Sequence, residues 1–128
     1  MRLNTVQRIV KDTLPKIKRY YGRSKYKYEY PYIVYEDGNY DRINQRMNRS
    51  KDKNERCGEY CWDDNEIIIY YPNMISKKHV VQTLIHEWQH YLQCVNWLDR
   101  YYKMGYRYDT HPYEVQASIA EENYKRFM

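Results

Sequence analysis

Apolar residues recur at three- and four-residue intervals in three parts of the chain, and this spacing predicts three helices. The first helix covers residues 4–18. The second begins at Ser76, whose side chain is suited to cap a helix, and extends to about Leu98. The third begins near Pro112, because proline fits the first helical turn, and extends to about Phe127.

Two further segments carry the pattern of β-strands. Residues 26–35 alternate tyrosine with polar residues before becoming apolar, and Pro31 indicates an edge strand. Residues 58–71 predict a hairpin that turns at residues 63–65, Asp-Asp-Asn. The polar and basic residues 36–56 predict a loop or a short helix. Together the elements predict an α+β fold, in which a small antiparallel sheet packs on the second helix and on the final helix.

Composition narrows the class of protein. The 128 residues suffice for one domain, residues 1–128, with a modest core to which the 18 tyrosines contribute. The net charge of +5 is compatible with acidic partners such as nucleic acid, although a charge of this size is ordinary. We find no transmembrane run, no secretory signal and an odd count of three cysteines. These features predict reduced thiols in a cytoplasmic compartment and no membrane partner.

The second predicted helix has an apolar face and a polar face. At about 100° per residue, one narrow sector holds its apolar residues: Val81, Leu84, Trp88, Leu92 and Val95. The opposite side holds His86 and His90, with Glu87 beside them. From His79 to Asp99 there is no lysine or arginine, which a face exposed to bulk water would normally carry. We therefore expect the polar face to line a cleft.

The polar face carries the motif H-E-x-x-H. Two imidazoles four residues apart point the same way, so His86 and His90 can bind one zinc ion at about 2.0–2.1 Å. Glu87 lies to the side of that ion, where it can accept a proton from metal-bound water without being a ligand. The arrangement predicts hydrolysis with Glu87 as general base. The simpler alternative is a pair of ordinary histidines on a helix.

A catalytic zinc usually has three protein ligands, so a third ligand is expected after His90. Glu114 is the preferred candidate, because the small residues Ala117 and Ser118 would let its helix pack closely on the motif helix. His111 is the alternative, since it precedes that helix and could also reach inward. Glu114 has a simpler explanation as well, because a carboxylate in the first turn stabilises the helix dipole.

The motif HEWQH, followed 24 residues later by Glu114 in the segment HPYEVQA, resembles the gluzincin branch of the zincin metallopeptidases. The resemblance covers about residues 66–120. The small size of the chain and the HPYEVQA segment are similar to compact phage- and bacterium-type zincins. It implies a zinc ion bound by His86, His90 and Glu114, with Glu87 as the catalytic base. It also implies hydrolysis of peptide bonds in a peptide or protein substrate. The short link before the last helix departs from larger gluzincins, which carry a lower lobe there.

Two further roles follow from this hypothesis. The resemblance implies that residues 66–71 form the edge strand along which an extended peptide substrate pairs. Hydrolysis also requires a donor toward the developing oxyanion, and the nearby candidates are Tyr106, Tyr108, Tyr113 and His111. Of these, His111 and Tyr108 are preferred as catalytic residues. For any one tyrosine in so tyrosine-rich a chain, packing is the simpler explanation.

Residues 16–30, KIKRYYGRSKYKYEY, interleave cations with aromatic rings, a pattern that suits contact with nucleic acid. A solvated lysine face is the simpler explanation. A basic surface together with His111 would suit the SprT-like proteases, zincins that act on DNA-bound proteins and use a third histidine. The alternatives to a gluzincin-type peptidase are therefore a SprT-like DNA-associated protease and a non-catalytic module that binds zinc or nucleic acid.

Overall fold

The computed structural model describes residues 1–37 and 57–128, and these residues form helices packed on a small sheet. In chain order, the elements are α1 (Leu3–Tyr21), β1 (Tyr32–Glu36), β2 (Gly58–Cys61), β3 (Glu66–Tyr70), α2 (Lys77–Leu92), α3 (Val95–Lys103) and α4 (Pro112–Ala120). Short 3-10 segments follow β3 at Tyr71–Asn73 and α4 at Glu121–Arg126. The α+β class is confirmed. From residue 38 onward, the loop or short helix predicted for residues 36–56 lies outside the described residues.

Helix α1 is longer than the sequence predicts. Pro15 lies inside it and does not end it, because the buried stripe of Val6 and Val10 continues beyond the proline to Ile17. Tertiary packing therefore outweighs the backbone hydrogen bond that proline removes. The helix ends at Gly22, whose φ of 76° lies in the region that glycine adopts most readily.

Strand β3 is the centre of the sheet. It pairs with β1 in parallel and with β2 in antiparallel orientation, and Ile68 lies between Val34 and Glu59. The predicted hairpin of β2 and β3 is confirmed, and Asn65 in its turn has a positive φ of 52°. The sheet is mixed rather than antiparallel. The expectation that residues 66–71 form an edge strand was wrong, since β3 is buried between two neighbours.

Helix α2 carries the motif and lies at the centre of the fold. The Ser76 hydroxyl accepts a hydrogen bond from a backbone N–H of the first turn at 3.1 Å, so the predicted cap is confirmed. The helix ends at Leu92 and not near Leu98, because Gln93 is extended and a separate helix begins at Val95. The side chain of Gln93 turns back into the polar face of α2 and takes part in the site described below.

The core lies between the sheet, α1 and the apolar face of α2. Its fully buried side chains include three from the predicted apolar sector, Val81, Leu84 and Trp88. The indole N–H of Trp88 donates to the carbonyl oxygen of Gly22 at 3.2 Å, which ties α2 to the end of α1. In the part of the chain that the structure describes, every helix is too short or too polar to span a membrane.

Candidate metal centre

Three side chains of the predicted ligand set meet between α2 and α4. The Nε2 atom of His86 lies 3.1 Å from one carboxylate oxygen of Glu114, and the Nε2 atom of His90 lies 3.0 Å from the other. One donor atom from each residue lies within 4.8 Å of the other two. Ligands of a tetrahedral zinc ion are about 3.3 Å apart when its bonds are 2.0–2.1 Å long. The spacing therefore fits a single small cation.

The other nitrogen of each imidazole has its own partner. The Nδ1 atom of His86 donates to Glu121 at 2.9 Å, and the Nδ1 atom of His90 donates to the side-chain oxygen of Gln93 at 2.7 Å. These partners direct both Nε2 atoms toward Glu114. Metal-bound histidines in proteins almost always carry such a second hydrogen bond, which fixes the ring orientation. Both imidazoles of the cluster therefore carry the second hydrogen bond that is typical of metal-bound histidines.

Gln93 is itself held by two acceptors. Its side-chain N–H groups donate to the backbone oxygen of Tyr113 at 3.2 Å and to the side chain of Gln116 at 3.1 Å. Both acceptors lie on α4, so Gln93 connects the end of α2 to the helix that carries Glu114. The helix breaks after Leu92, and the backbone of Gln93 is extended. From this position the Gln93 side chain reaches both His90 and α4.

The charges of the cluster attract a cation. Burial would lower the pKa of His86, but hydrogen bonds to Glu114 and Glu121 raise it to about 10. Burial would also raise the pKa of Glu114, yet its hydrogen bonds with His86 and His90 hold that pKa well below its ordinary value. The point between the two Nε2 atoms and the carboxylate therefore favours positive charge, which protons or a divalent cation can supply.

Glu87 lies beside the three clustered side chains and also next to strand β2, at Gly58. Its side chain is buried, with 7% of the residue exposed, and burial raises the pKa of its carboxyl group against the opposing effect of the two histidines. It borders an inner cavity of about 40 Å³ together with His86, His90 and Glu114. A cavity of this size has room for water, which needs roughly 10–15 Å³ per molecule. A carboxylate with a raised pKa beside such a cavity is suited to exchange protons.

Strand β2 approaches the motif helix closely at Gly58. A Cβ atom at this position would lie 2.6 Å from the Cγ2 atom of Thr83 and 3.4 Å from the Cγ atom of Glu87. The Thr83 rotamer is fixed, because its hydroxyl donates to the carbonyl oxygen of His79 at 2.8 Å. Only glycine therefore lets the strand lie against Glu87 without displacing α2.

The two predicted catalytic residues outside the motif have different environments. His111 is 0% exposed, its Nδ1 atom accepts from the Tyr113 N–H at 3.1 Å, and its Nε2 atom donates to the Leu98 carbonyl at 2.9 Å. It is the N-cap of α4, and both ring nitrogens are engaged inside the protein. The structure thus brings Glu114, not His111, to the motif histidines, and His111 has no free donor for an oxyanion.

Tyr108, by contrast, borders the inner cavity and also the larger cavity outside it. The larger one, which we call the metal cavity, has a volume of about 670 Å³ and is lined by His86, Tyr108, Asp109, Glu114, Val115, Ser118, Ile119 and Glu122. Tyr108 is 37% exposed, whereas Tyr106 and Tyr113 line neither cavity. Of the tyrosines considered, only Tyr108 therefore lies where a donor to a bound substrate is needed.

The roles of Glu121, Gln93 and Gly58 were not predicted from the sequence. Glu121 follows Glu114 by seven residues and so lies on the same helical stripe, and Gln93 shares the polar face of the predicted motif helix with His86 and His90. Neither pattern identifies the hydrogen-bond partners, and Gly58 had no signal, because its role depends on how closely β2 packs.

The cysteines do not join a metal group in the described residues. The Sγ atom of Cys57 accepts from the Nε2 atom of His79 at 3.0 Å, and that of Cys61 lies 3.5 Å from Asp64. Within residues 1–37 and 57–128, the one group of three side chains placed to hold a metal ion is the cluster of His86, His90 and Glu114.

Comparison of the chain with family models, curated proteins and solved structures gives no match.

Proposed function

We propose that this protein is a zinc-dependent peptidase. His86, His90 and Glu114 would hold the metal, and Glu87 would act as general base. The observation that carries the proposal is the convergence of these donor atoms within 4.8 Å from two helices. It is supported by the second hydrogen bond of each imidazole, which a pair of unrelated surface histidines would not need.

Each residue near the cluster has a chemical task in this proposal. When bound, zinc would lower the pKa of a water molecule and polarise the scissile carbonyl. Glu87 would accept the proton of the water and pass it to the leaving amine, and the pKa of its carboxyl group, raised by burial, makes it a stronger proton acceptor. The phenol of Tyr108 would donate to the oxyanion.

The position of the sheet defines where a peptide would lie. Gly58, Glu59 and Tyr60 of β2 border the inner cavity beside Glu87, while β3 lies behind β2. We therefore infer that an extended substrate follows β2 and not, as the family resemblance implies, residues 66–71. The metal cavity would receive a substrate side chain, with Val115 and Ile119 as apolar contacts.

The two alternative functions fit the site less well. A SprT-like protease with a third histidine would need His111 at the metal, and this residue caps α4 instead. A non-catalytic zinc module would have no use for a buried carboxylate with raised pKa beside the ligands. The module alternative makes one clear prediction, namely zinc binding without peptide cleavage.

The test compares the wild type with Glu87→Gln on a peptide library, with the zinc content measured in the same samples. We expect both proteins to hold zinc and the variant to cleave roughly 100- to 10,000-fold more slowly, because only the proton acceptor is lost. Asp12→Asn, which neutralises an exposed carboxylate of α1 outside both cavities, is the control and should cleave like the wild type. Zinc-loaded wild type that cleaves no peptide would favour the module.

A further inference from the structure

A second cavity, of about 540 Å³, lies at the end of α1 and is lined by Lys16, Arg19, Tyr20, Arg126 and Phe127. We call it the basic cavity, because three of these five side chains are cationic and none is acidic. Lys16, Arg19 and Tyr20 are spaced three and four residues apart, so they form one face of the last turns of α1. The other two residues come from the end of the chain.

The three cations of the basic cavity have no carboxylate partner among the described residues. The ion pairs of residues 1–37 and 57–128 involve other side chains, chiefly those of the metal centre. The guanidinium of Arg126 lies over the ring of Tyr20, 5.0 Å from its centre. Like charges gathered without a counter-charge repel one another, so an external anion would stabilise this arrangement.

The aromatic side chain Tyr20 of the basic cavity packs against neighbouring rings and is still accessible to solvent. Tyr20 is 51% exposed, and its ring makes T-shaped contacts with the rings of Tyr21 and Phe127, at 4.8 Å and 5.6 Å between ring centres. The segment that follows continues the pattern: Tyr28 is 97% exposed, and the Lys25 ammonium lies 5.3 Å from the ring centre of Tyr26. Exposed rings among unpaired cations offer two kinds of contact, to a phosphate and to a flat aromatic group.

We propose that the basic cavity binds single-stranded nucleic acid, with a phosphate at Lys16, Arg19 and Arg126 and a base stacked on the face of the Tyr20 ring that the Arg126 guanidinium does not cover. Guanidinium groups match phosphate oxygens in pairs, and an aromatic side chain stacks on any base that is not already stacked in a duplex. An anionic membrane would satisfy the same charges, and vesicle binding is therefore one of the outcomes of the test below. This binding is independent of the peptidase proposal, because it uses none of the residues of the metal centre.

The test is fluorescence anisotropy of a labelled oligothymidylate over a range of salt concentrations. The logarithm of affinity should fall linearly with the logarithm of salt, with a slope of about −0.7 per phosphate contact for single strands. In the triple variant Lys16→Gln, Arg19→Gln, Arg126→Gln, the slope should become shallower by about 2. The matched control, Arg2→Gln, Arg8→Gln, Lys77→Gln, removes the same charge from exposed positions outside the cavity and should keep most of the wild-type slope.

A second variant tests the stacking contact without changing charge. Tyr20→Leu should weaken oligothymidylate binding about tenfold at every salt concentration and leave the slope unchanged. Tyr106→Leu, a half-exposed ring outside the basic cavity, should have no effect.

Several results would overturn the proposal. Equal loss of slope in the triple variant and in its control would mean that the cavity has no special role. Binding that is as tight to a duplex as to oligothymidylate, or an unchanged affinity in Tyr20→Leu, would exclude base stacking. Binding to vesicles of phosphatidylserine and phosphatidylcholine but not to oligothymidylate would assign the cavity to a membrane surface.

Discussion

The metal cavity and the basic cavity differ in whether their charged side chains are paired with one another. At the metal centre, two imidazoles and two carboxylates are paired with one another within 3.1 Å and are largely buried. At the basic cavity, three cations line the surface without a carboxylate partner in the described residues. A buried cluster that supplies its own counter-charges has a fixed geometry. An unpaired and exposed one depends on a ligand from outside.

Because of this difference, the charged side chains of the metal cavity should contribute more to the free energy of unfolding than those of the basic cavity. Removal of one member of the buried cluster leaves other buried groups without a partner, which lowers the free energy of unfolding. The same removal also weakens the binding of a cation. Removal of an exposed cation leaves nothing unpaired. Substitutions should therefore have large effects at the metal cavity and small effects on folding at the basic cavity.

The largest effect is expected for Glu114→Ala, which removes one of the three proposed zinc ligands. Zinc affinity should fall by more than about 100-fold, the upper end of the loss found for outer partners of a metal site. Competition with a fluorescent zinc chelator measures this. Glu122→Ala removes a carboxylate from the same cavity and should bind zinc like the wild type. Equal affinities of Glu114→Ala and the wild type would show that the carboxylate is only a helix-dipole partner.

The next effect is expected for Glu121→Ala, which leaves the three ligands in place. Without its acceptor at Nδ1, the ring of His86 loses its fixed orientation, so zinc affinity should fall roughly 10- to 100-fold. The same chelator competition applies, again with Glu122→Ala as the control. An unchanged affinity would contradict the role of Glu121 as an orienting partner.

Gly58→Ala tests the close approach of β2 that encloses the metal centre. The added methyl group would meet Thr83, and we expect the free energy of unfolding to fall by about 1–3 kcal/mol in chemical denaturation. Thr83→Ser removes the Cγ2 atom and keeps the hydroxyl, so the double variant should recover most of the loss. A Gly58→Ala protein as stable as the wild type would mean that β2 has room to move.

The smallest effect is expected for Arg19→Gln at the basic cavity. Because this side chain is exposed and has no carboxylate partner in the described residues, the free energy of unfolding should change by less than about 0.5 kcal/mol. Denaturation at low salt is the appropriate measurement. A larger loss of stability would show that the arginine has a structural partner and would remove the contrast between the two cavities.

The sequence was most informative where the signal is local. The spacing of His86 and His90 on one helical face, and the Ser76 cap before them, depend on neighbouring residues alone, and the structure has both. The hairpin at residues 58–71 was equally accessible, because its turn residues and apolar runs are adjacent. The choice of Glu114 over His111 required more, namely the packing of α4 against α2.

What the sequence did not predict depends on contacts between distant elements. Strand β3 is central because β1 pairs with it in parallel, and nothing local to residues 66–71 indicates that partner. The break after Leu92 lacks a glycine or proline signal, and its reason is the set of hydrogen bonds that Gln93 makes to His90 and α4. Tertiary hydrogen bonds of this kind override helix periodicity.

The proposed function requires one zinc ion bound between His86, His90 and Glu114. Elemental analysis of protein purified without added metal tests it most directly, with the double variant His86→Ala, His90→Ala prepared in parallel. We expect one zinc ion per chain in the wild type and none in the variant. A wild type that holds no zinc even after zinc is supplied, or a double variant that keeps it, would contradict the proposed function.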